Sequence, residues 1–419
     1  MRELINSNIE WLKMIPKDWK IERLQWHMFE INVKNNPIRT TNVLSLTNKR
    51  GVIPYEEKGA QGNISKENYN EYKIAYKDTI VANSMNILIG SVGYSNYEGC
   101  VSPVYYVFKE KEGNDLRFLN YILQTVQFQK ELRKYANGIL EIRLRVSADD
   151  ILKRQAAFPD YEEQCRISNF LDFECKKIDS ICSDIENEIE TLEEYKRSVI
   201  QKAVTKGLVD NVLMQESRVK YVGVIPQNWE VKRGKYIFDY VQKPVKDDDG
   251  VITCFRDGEV TLRSNRREDG FTISEKEIGY QGIDAGDLIV HGMDGFAGAI
   301  GISDSRGKAS PVLNNLQTNQ SKKYYMYYLR NMAYRGVFIS LSTGIRVRTC
   351  DTNWGKLREI YYAIPPLSEQ IEIAEYLDKK CAEIESVIAD KKKQLEVLDN
   401  YKKSLIYEYV TGKKEVANE

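Results

Sequence analysis

The chain has 419 residues, more than one ordinary domain needs, and its 42% hydrophobic and 29% charged composition is that of a globular protein. Lys plus Arg and Asp plus Glu both number 61, which excludes a chain that is basic throughout; nucleic-acid binding must come from local patches or be shared with a basic partner. No apolar run approaches the ~18 residues of a membrane helix, and Met1-Arg2-Glu3-Leu4 does not read as a signal peptide, so no membrane is expected.

Near the start, Ile15-Pro16-Lys17-Asp18-Trp19 precedes Lys20-Ile21-Glu22-Arg23. Thr79-Ile80-Val81 and Val104–Phe108 read as strands, and Leu116–Tyr135 is helical by pattern. Turn residues crowd the stretch from 47 to 70, which predicts long loops. Neither proline nor glycine interrupts Glu162–Lys206, which allows one helix of roughly 65 Å. Leu171, Ile178, Ile185, Leu192 and Val199 fall seven residues apart, Ile181 and Tyr195 stand three further on, and Ile189 and Ile200 widen the stripe. Such a repeat is the seam of a coiled coil, and a helix this long needs a partner of equal length. Gly207 reads as its stop.

The chain then repeats itself. Ile225-Pro226-Gln227-Asn228-Trp229 matches the opening motif, Ser310-Pro311-Val312 matches Ser102-Pro103-Val104, and Gly344-Ile345 matches Gly138-Ile139. Asp287–Val290 and Ile300–Ile302 read as strands, Tyr324–Ala333 as a helix, and 244–287 as a second loop-rich stretch. Ser368–Gly412 repeats the long helix: Leu377, Ile384, Leu398 and Leu405 stand where the first has Leu171, Ile178, Leu192 and Val199. Lys391 replaces Ile185, and Lys391-Lys392-Lys393 faces an acidic counterpart, Asp184 with Glu186, Glu188 and Glu190, so the two helices are expected to pair with each other. The resulting division is a domain at 1–160, a helix at 161–207, a connector at 208–220, a second domain at 221–366, a second helix at 367–412 and a tail at 413–419.

Catalytic signatures are absent or broken. Gly301 through Gly307-Lys308-Ala309 has the wrong spacing for a phosphate loop and lacks the hydroxyl that would hold magnesium. Ile364-Pro365-Pro366-Leu367 has the proline pair of an adenine methyltransferase motif without its polar residues, and serves more simply as a rigid start to a helix. Pro159-Asp160, Glu162 and Gln164 lack a nuclease lysine and sit where carboxylates stabilise a helix N-terminus. Seven scattered cysteines without Cys-x-x-Cys read as free thiols in a reducing cytoplasm, and His27 and His291 alone leave little for a zinc site or a triad. The residues suited to DNA are better placed. Arg256, Arg263, Asn265, Arg266 and Arg267 gather around Thr261 and Ser264, and Arg346 and Arg348 follow Thr343-Gly344. In the first half, Asn48, Lys49 and Arg50, then Asn83, Ser84 and Asn86, then Arg143 and Arg145 occupy comparable places. Arginine reads guanine and Asn reads adenine through paired hydrogen bonds, while Lys, Ser and Thr take phosphates.

Duplicated halves that open Ile-Pro-x-x-Trp and close Pro-x-x-x-Glu-Gln (Pro159–Gln164) or Pro-Pro-Leu-Ser-Glu-Gln (Pro365–Gln370), with helices ending Tyr-Lys-x-Ser, resemble the specificity subunit of type I restriction-modification systems over nearly the whole chain. The resemblance implies an α+β fold: two similar globular target recognition domains joined by two long helices that form an antiparallel coiled coil, with a pseudo-twofold internal repeat. It also implies a non-catalytic subunit that reads a bipartite target in double-stranded DNA. Its partners would be two modification subunits, which use S-adenosylmethionine, and restriction subunits, which use ATP and magnesium; no cofactor is expected in this chain. No base-reading residue carries over, because the recognition domains vary most within the family. The acidic run from Asp184 to Glu194 would be repelled by phosphate, so the helix is expected to space the domains and not to read a groove. A coiled-coil scaffold without DNA is the alternative, and a salt-dependent shift of DNA on binding separates the two.

Overall fold

In the computed structural model, which describes residues 2–47, 50–58, 68–137, 144–266, 277–341 and 352–417, each half is organised around one strand buried on both faces. The first half contributes β1 (Lys20–Arg23), β2 (Met28–Glu30), β3 (Leu44–Thr47), β4 (Gly51–Pro54), β5 (Thr79–Asn83), β6 (Val92–Ser95) and β7 (Tyr105–Glu110) to the account that follows. Strands β2, β7, β5 and β6 lie side by side in that order, all antiparallel. Because strand side chains alternate, Ile80 and Ala82 join one core with Leu24, Phe108, Leu119 and Phe128, while Val81 joins another with Leu44, Leu46 and Val52. Helices α1 (Leu116–Gln124) and α2 (Val126–Arg133) therefore cover one face and the β3–β4 hairpin the other.

The sequence pattern suggested one helix over Leu116–Tyr135, but the chain breaks at Thr125. That residue is extended (φ −68°, ψ 134°) and its hydroxyl accepts from the Phe128 N–H at 3.4 Å, so it ends α1 and caps α2. After β8 (Gln155–Phe158), which pairs with β1, α3 runs without a break from Tyr161 to Lys206.

The second half repeats this plan with β9 (Glu230–Arg233), β10 (Asp239–Tyr240), β11 (Ile252–Cys254), β12 (Val260–Leu262), β13 (Leu288–His291), β14 (Ile300–Ile302), β15 (Leu313–Gln317), α4 (Lys322–Tyr334), β16 (Tyr361–Ile364) and α5 (Leu367–Val410). Its sheet has the order β10-β15-β13-β14, again antiparallel. Leu288 and Val290 pack against Tyr324, Tyr325 and Leu329, while Ile289 packs against Ile252, Cys254 and Val260. The fold is α+β with two similar globular domains and two long helices.

By packing, the chain divides into two units, Met1–Ile185 with Lys392–Glu419 and Glu186–Lys391, so each unit holds one globular domain and half of each long helix. In the first unit, Lys402 of α5 reaches Asp179 of α3 at 2.6 Å, and the Phe170 and Tyr409 rings lie 4.4 Å apart. In the second, Lys391 bonds Glu188 and Lys196 reaches Glu385 at 2.8 Å. Within each unit one numbering rises as the other falls, so the helices pair antiparallel. Lys391 thus meets the acidic run.

The seam differs in one respect from its sequence pattern. Ile181 and Tyr195 face solvent, and Cys175 and Cys182 fill the second rank between Leu171, Ile178 and Ile185. Alternating steps of four and three keep a stripe on one helix face, and steps of three and four from a different start had pointed to the wrong rank. Leu377, Cys381, Ile384 and Ile388 repeat the pattern in α5.

The framework motifs explain how each helix is seated. The Trp19 indole donates to Glu163 at 3.3 Å, and Arg2 reaches the same carboxylate at 2.6 Å. Gln164 donates to the Pro159 carbonyl and accepts from the Asp115 N–H, and Gln370 does the same with Pro365 and Ser321. The glycines after the helices complete the joint: Gly207 (φ +76°) and Gly412 (φ +68°) are left-handed. A Cβ on Gly412 would lie 2.4 Å from Pro16 and 3.0 Å from Trp19, and one on Gly207 would lie 2.7 Å from Glu369.

Candidate nucleic-acid interface

In the second unit the β11–β12 hairpin and the turn after β13 enclose a cavity of about 580 Å³. Its walls include Arg256, Arg263 and Arg266, so three of the arginines expected to touch DNA come together. Arg256 is 68% exposed and pairs with Asp294 at 2.8 Å. Arg266 reaches Asp257 at 2.6 Å and Glu259 at 3.0 Å and lies 4.2 Å over the Phe255 ring. Burial opposes ionisation of Asp257, but the hydrogen bonds from Arg266 and the Glu259 N–H, with the charges of Arg266 and Arg330, together outweigh it and hold the carboxyl below its usual range. Arg263 Nε donates to the Thr253 hydroxyl at 3.2 Å, and Asn265 donates to the Thr261 hydroxyl at 2.9 Å, back toward its own hairpin. Arg267, Arg346 and Arg348 lie outside the described residues.

The turn after the central strand is built alike in both units. In the first, the Asn83 side chain is buried and its Oδ1 accepts from the Met85 N–H at 3.0 Å. In the second, His291 Nδ1 accepts from the N–H groups of Met293 at 3.2 Å and Asp294 at 3.0 Å. An accepting Nδ1 requires neutral imidazole, and burial pushes His291 below its ordinary value. Asn83 and Ser84 are buried, so they shape this turn, while Asn86 is exposed at its tip. Arg145 is also exposed, with Nη2 3.7 Å from the Met85 sulfur. Arg50 pairs with Glu57 at 2.6 Å and borders a cleft of about 800 Å³ that Lys176, Lys402 and Lys403 also line. Asn48, Lys49 and Arg143 lie outside the described residues.

Two kinds of functional residue escaped the sequence pattern. The acids Asp257, Glu259 and Asp294 interleave with the arginines, and the Arg256-Asp257 and Glu259 spacing carries part of that signal. The lysines of the Tyr-Lys-x-Ser motifs, Lys196 and Lys402, serve the helix pair, and each reaches an acid of the facing helix. Among the described residues no group of three or more His, Cys, Asp or Glu side chains could hold a metal ion, and no helix is long and apolar enough to cross a membrane.

Comparison with known proteins gives this arrangement a setting. Residues 16–191 match the family model of the type I restriction modification DNA specificity domain. A putative type I restriction enzyme specificity subunit of Methanocaldococcus jannaschii is 23% identical, over 95% of this chain and 94% of its own length. A chain from a solved structure concerned with complex assembly and conformational transition of the type I R-M system aligns over 94% of this chain and 98% of its own, at TM-score 0.66 and 12% identity, so the two share a fold. The HsdS subunit of Thermoanaerobacter tengcongensis aligns over 96% of this chain at TM-score 0.48 and 12% identity. Its first half is thus similar to the type I restriction modification DNA specificity domain, and nearly its whole length to a type I specificity subunit.

Proposed function

We propose that this chain reads a bipartite sequence in double-stranded DNA, one half-site per globular domain, and directs methylation and restriction to it without a catalytic centre of its own. The observation that carries the reading is the repetition of one framework with different side chains at corresponding turns: Asn83–Asn86 in the first unit and His291–Asp294 in the second. A repeated scaffold with divergent tips suits two unlike half-sites. In the domain terms proposed, 1–160 and 221–366 recognise DNA, 161–207 and 367–412 are spacers, 208–220 connects them and 413–419 is a tail. The reading residues are drawn from Asn48, Lys49, Arg50, Asn86, Arg143 and Arg145 in the first domain and from Arg256, Arg263, Asn265, Arg266, Arg267, Arg346 and Arg348 in the second.

A balance of 61 cations and 61 anions gives weak non-specific attraction, which suits a subunit whose partners help enclose the DNA. Those partners are two modification subunits that bring S-adenosylmethionine, and restriction subunits that bring ATP and magnesium, all in the cytoplasm. Domain exchange tests the reading. Replacing residues 20–157 with the same segment of a relative should change one half of the methylated motif and leave the other intact. A change in both halves, or in neither, refutes independent reading.

A further inference from the structure

The cluster around Arg256 is arranged for a base edge and not for a phosphate. A phosphate site keeps its cations clear of carboxylates, because carboxylate and phosphate repel. Here Arg256 bonds Asp294, and Arg266 is held between Asp257 and Glu259. Donors and acceptors therefore stand side by side at the mouth of the cavity. Arg266 has both terminal nitrogens on acids and its plane over Phe255, which fits a brace within the hairpin. Arg256 is different: it is 68% exposed, and its Asp294 partner is 35% exposed.

Asp294 is also fixed from behind. Its N–H donates to His291 Nδ1, and its carbonyl accepts from the Ala297 N–H at 2.9 Å. The carboxylate thus stands on a braced turn, and it holds the exposed guanidinium by one of its five N–H donors. An edge with two parallel donors stays open to a ligand.

Resting on the functional reading above, we propose that Arg256 and Asp294 together read one G·C base pair in the half-site of the second domain. Across the major-groove edge of G·C, guanine presents two acceptors, N7 and O6, and cytosine then presents the N4 amino donor. Two arginine donors followed by a carboxylate acceptor match that order. An A·T pair presents acceptor, donor, acceptor, which sets the adenine amino group against the second arginine donor. The pair therefore discriminates by mismatch as well as by attraction.

The test is the methylated genomic motif in cells that carry the full chain with its modification subunits, compared with Arg256→Gln, Asp294→Asn and Arg256→Lys. The expected result is relaxation at a single G·C position of one half-site, by roughly 5- to 100-fold in discrimination, with every other position unchanged. An unchanged motif in all three variants would make the pair a surface ion pair and overturn the proposal. So would uniform loss of methylation at all sites with unchanged melting of the protein, which marks a phosphate contact. If Arg256→Gln lowers the melting temperature, Arg256→Lys decides, since it keeps the charge beside Asp294 and removes only the fork: relaxation at the one position supports the proposal, and an unaltered motif ends it. A wild-type motif that is not bipartite, or does not depend on this chain, would instead sink the functional reading and this inference with it.

Discussion

Single residues in the second unit carry a polar network. Lys243 reaches Asp284 at 2.7 Å and Asp287 at 2.6 Å, Arg306 reaches Asp249 at 2.8 Å and Asp284 at 2.6 Å, and Asn315 and Gln317 donate to Asp287. The Asp287 and Asp249 side chains are each only 3% exposed, so neither can be solvated if its partner is lost. Asp287→Ala should cost about 3 kcal/mol, because it takes one of two carboxylates from Lys243 and leaves the Asn315 and Gln317 amides without their acceptor, and urea unfolding of the full chain would measure it. The same network sets a dependence on pH. The Arg306 hydrogen bond lowers Asp249 to about 2, below its unfolded value, so its contribution is present above pH ~4 and lost as pH falls toward 2. Wild type should therefore lose more stability than Asp249→Asn over that interval. Equal losses would remove Asp249 as a source of acid sensitivity.

At the scale of elements, the seam and the charges across it do different work. Leu377 is fully buried, and Leu377→Ala should cost ~2–5 kcal/mol. Lys391→Glu should cost under ~1 kcal/mol, because the Lys391–Glu188 bond is solvent-exposed, and Glu188→Lys should recover much of that loss. Denaturation of the single and double variants decides it; a Lys391 effect as large as that of Leu377 would mean charge holds the pair together. The elements themselves were largely legible in the sequence. The long helices show through their heptads, and the central strands show through short apolar runs at Thr79–Val81 and Asp287–Val290. The rank of Cys175 and Cys182 did not show, because cysteine is ambiguous between core and surface while Ile181 looks buried by type. The Thr125 break was hidden because threonine fits a helix interior by pattern and ends one only when its hydroxyl caps the next. The candidate site was half legible: the arginines stand out by type and Asp257 and Glu259 lie beside them in the same hairpin, but Asp294 comes from a separate turn, and only the fold brings it to Arg256.

At the scale of the whole molecule, the prediction concerns the gap between half-sites. Helix α3 spans 46 residues and α5 spans 44, and each passes from one unit into the other. Because Lys391 bonds Glu188, insertions after these two residues fall opposite each other and keep both flanking seams in register. Four extra residues in each helix add ~6 Å and turn the ends by only ~40°. The unread gap should then grow by one or two base pairs, at ~3.4 Å each, while both half-sites stay the same. Sequencing of methylated DNA reads the result directly. An unaltered gap with normal methylation would show that helix length does not set it.

The docking of α5 on the opening motif of the chain has a topological consequence. Gly412 rests on Pro16 and Trp19, the Tyr407 hydroxyl donates to the Trp11 carbonyl at 2.9 Å, and Arg2 feels the charge of Glu415. The corresponding joint in the second unit, where Gly207 meets Trp229 and Glu369, is crossed by continuous chain. One joint is thus made by covalent linkage and the other by packing alone, though their surroundings are alike. A circular permutant opened at the exposed segment after Gly207 and closed between residues 417 and 2 should therefore keep both joints with their roles exchanged, the Gly207 joint then held by packing and the Gly412 joint by linkage.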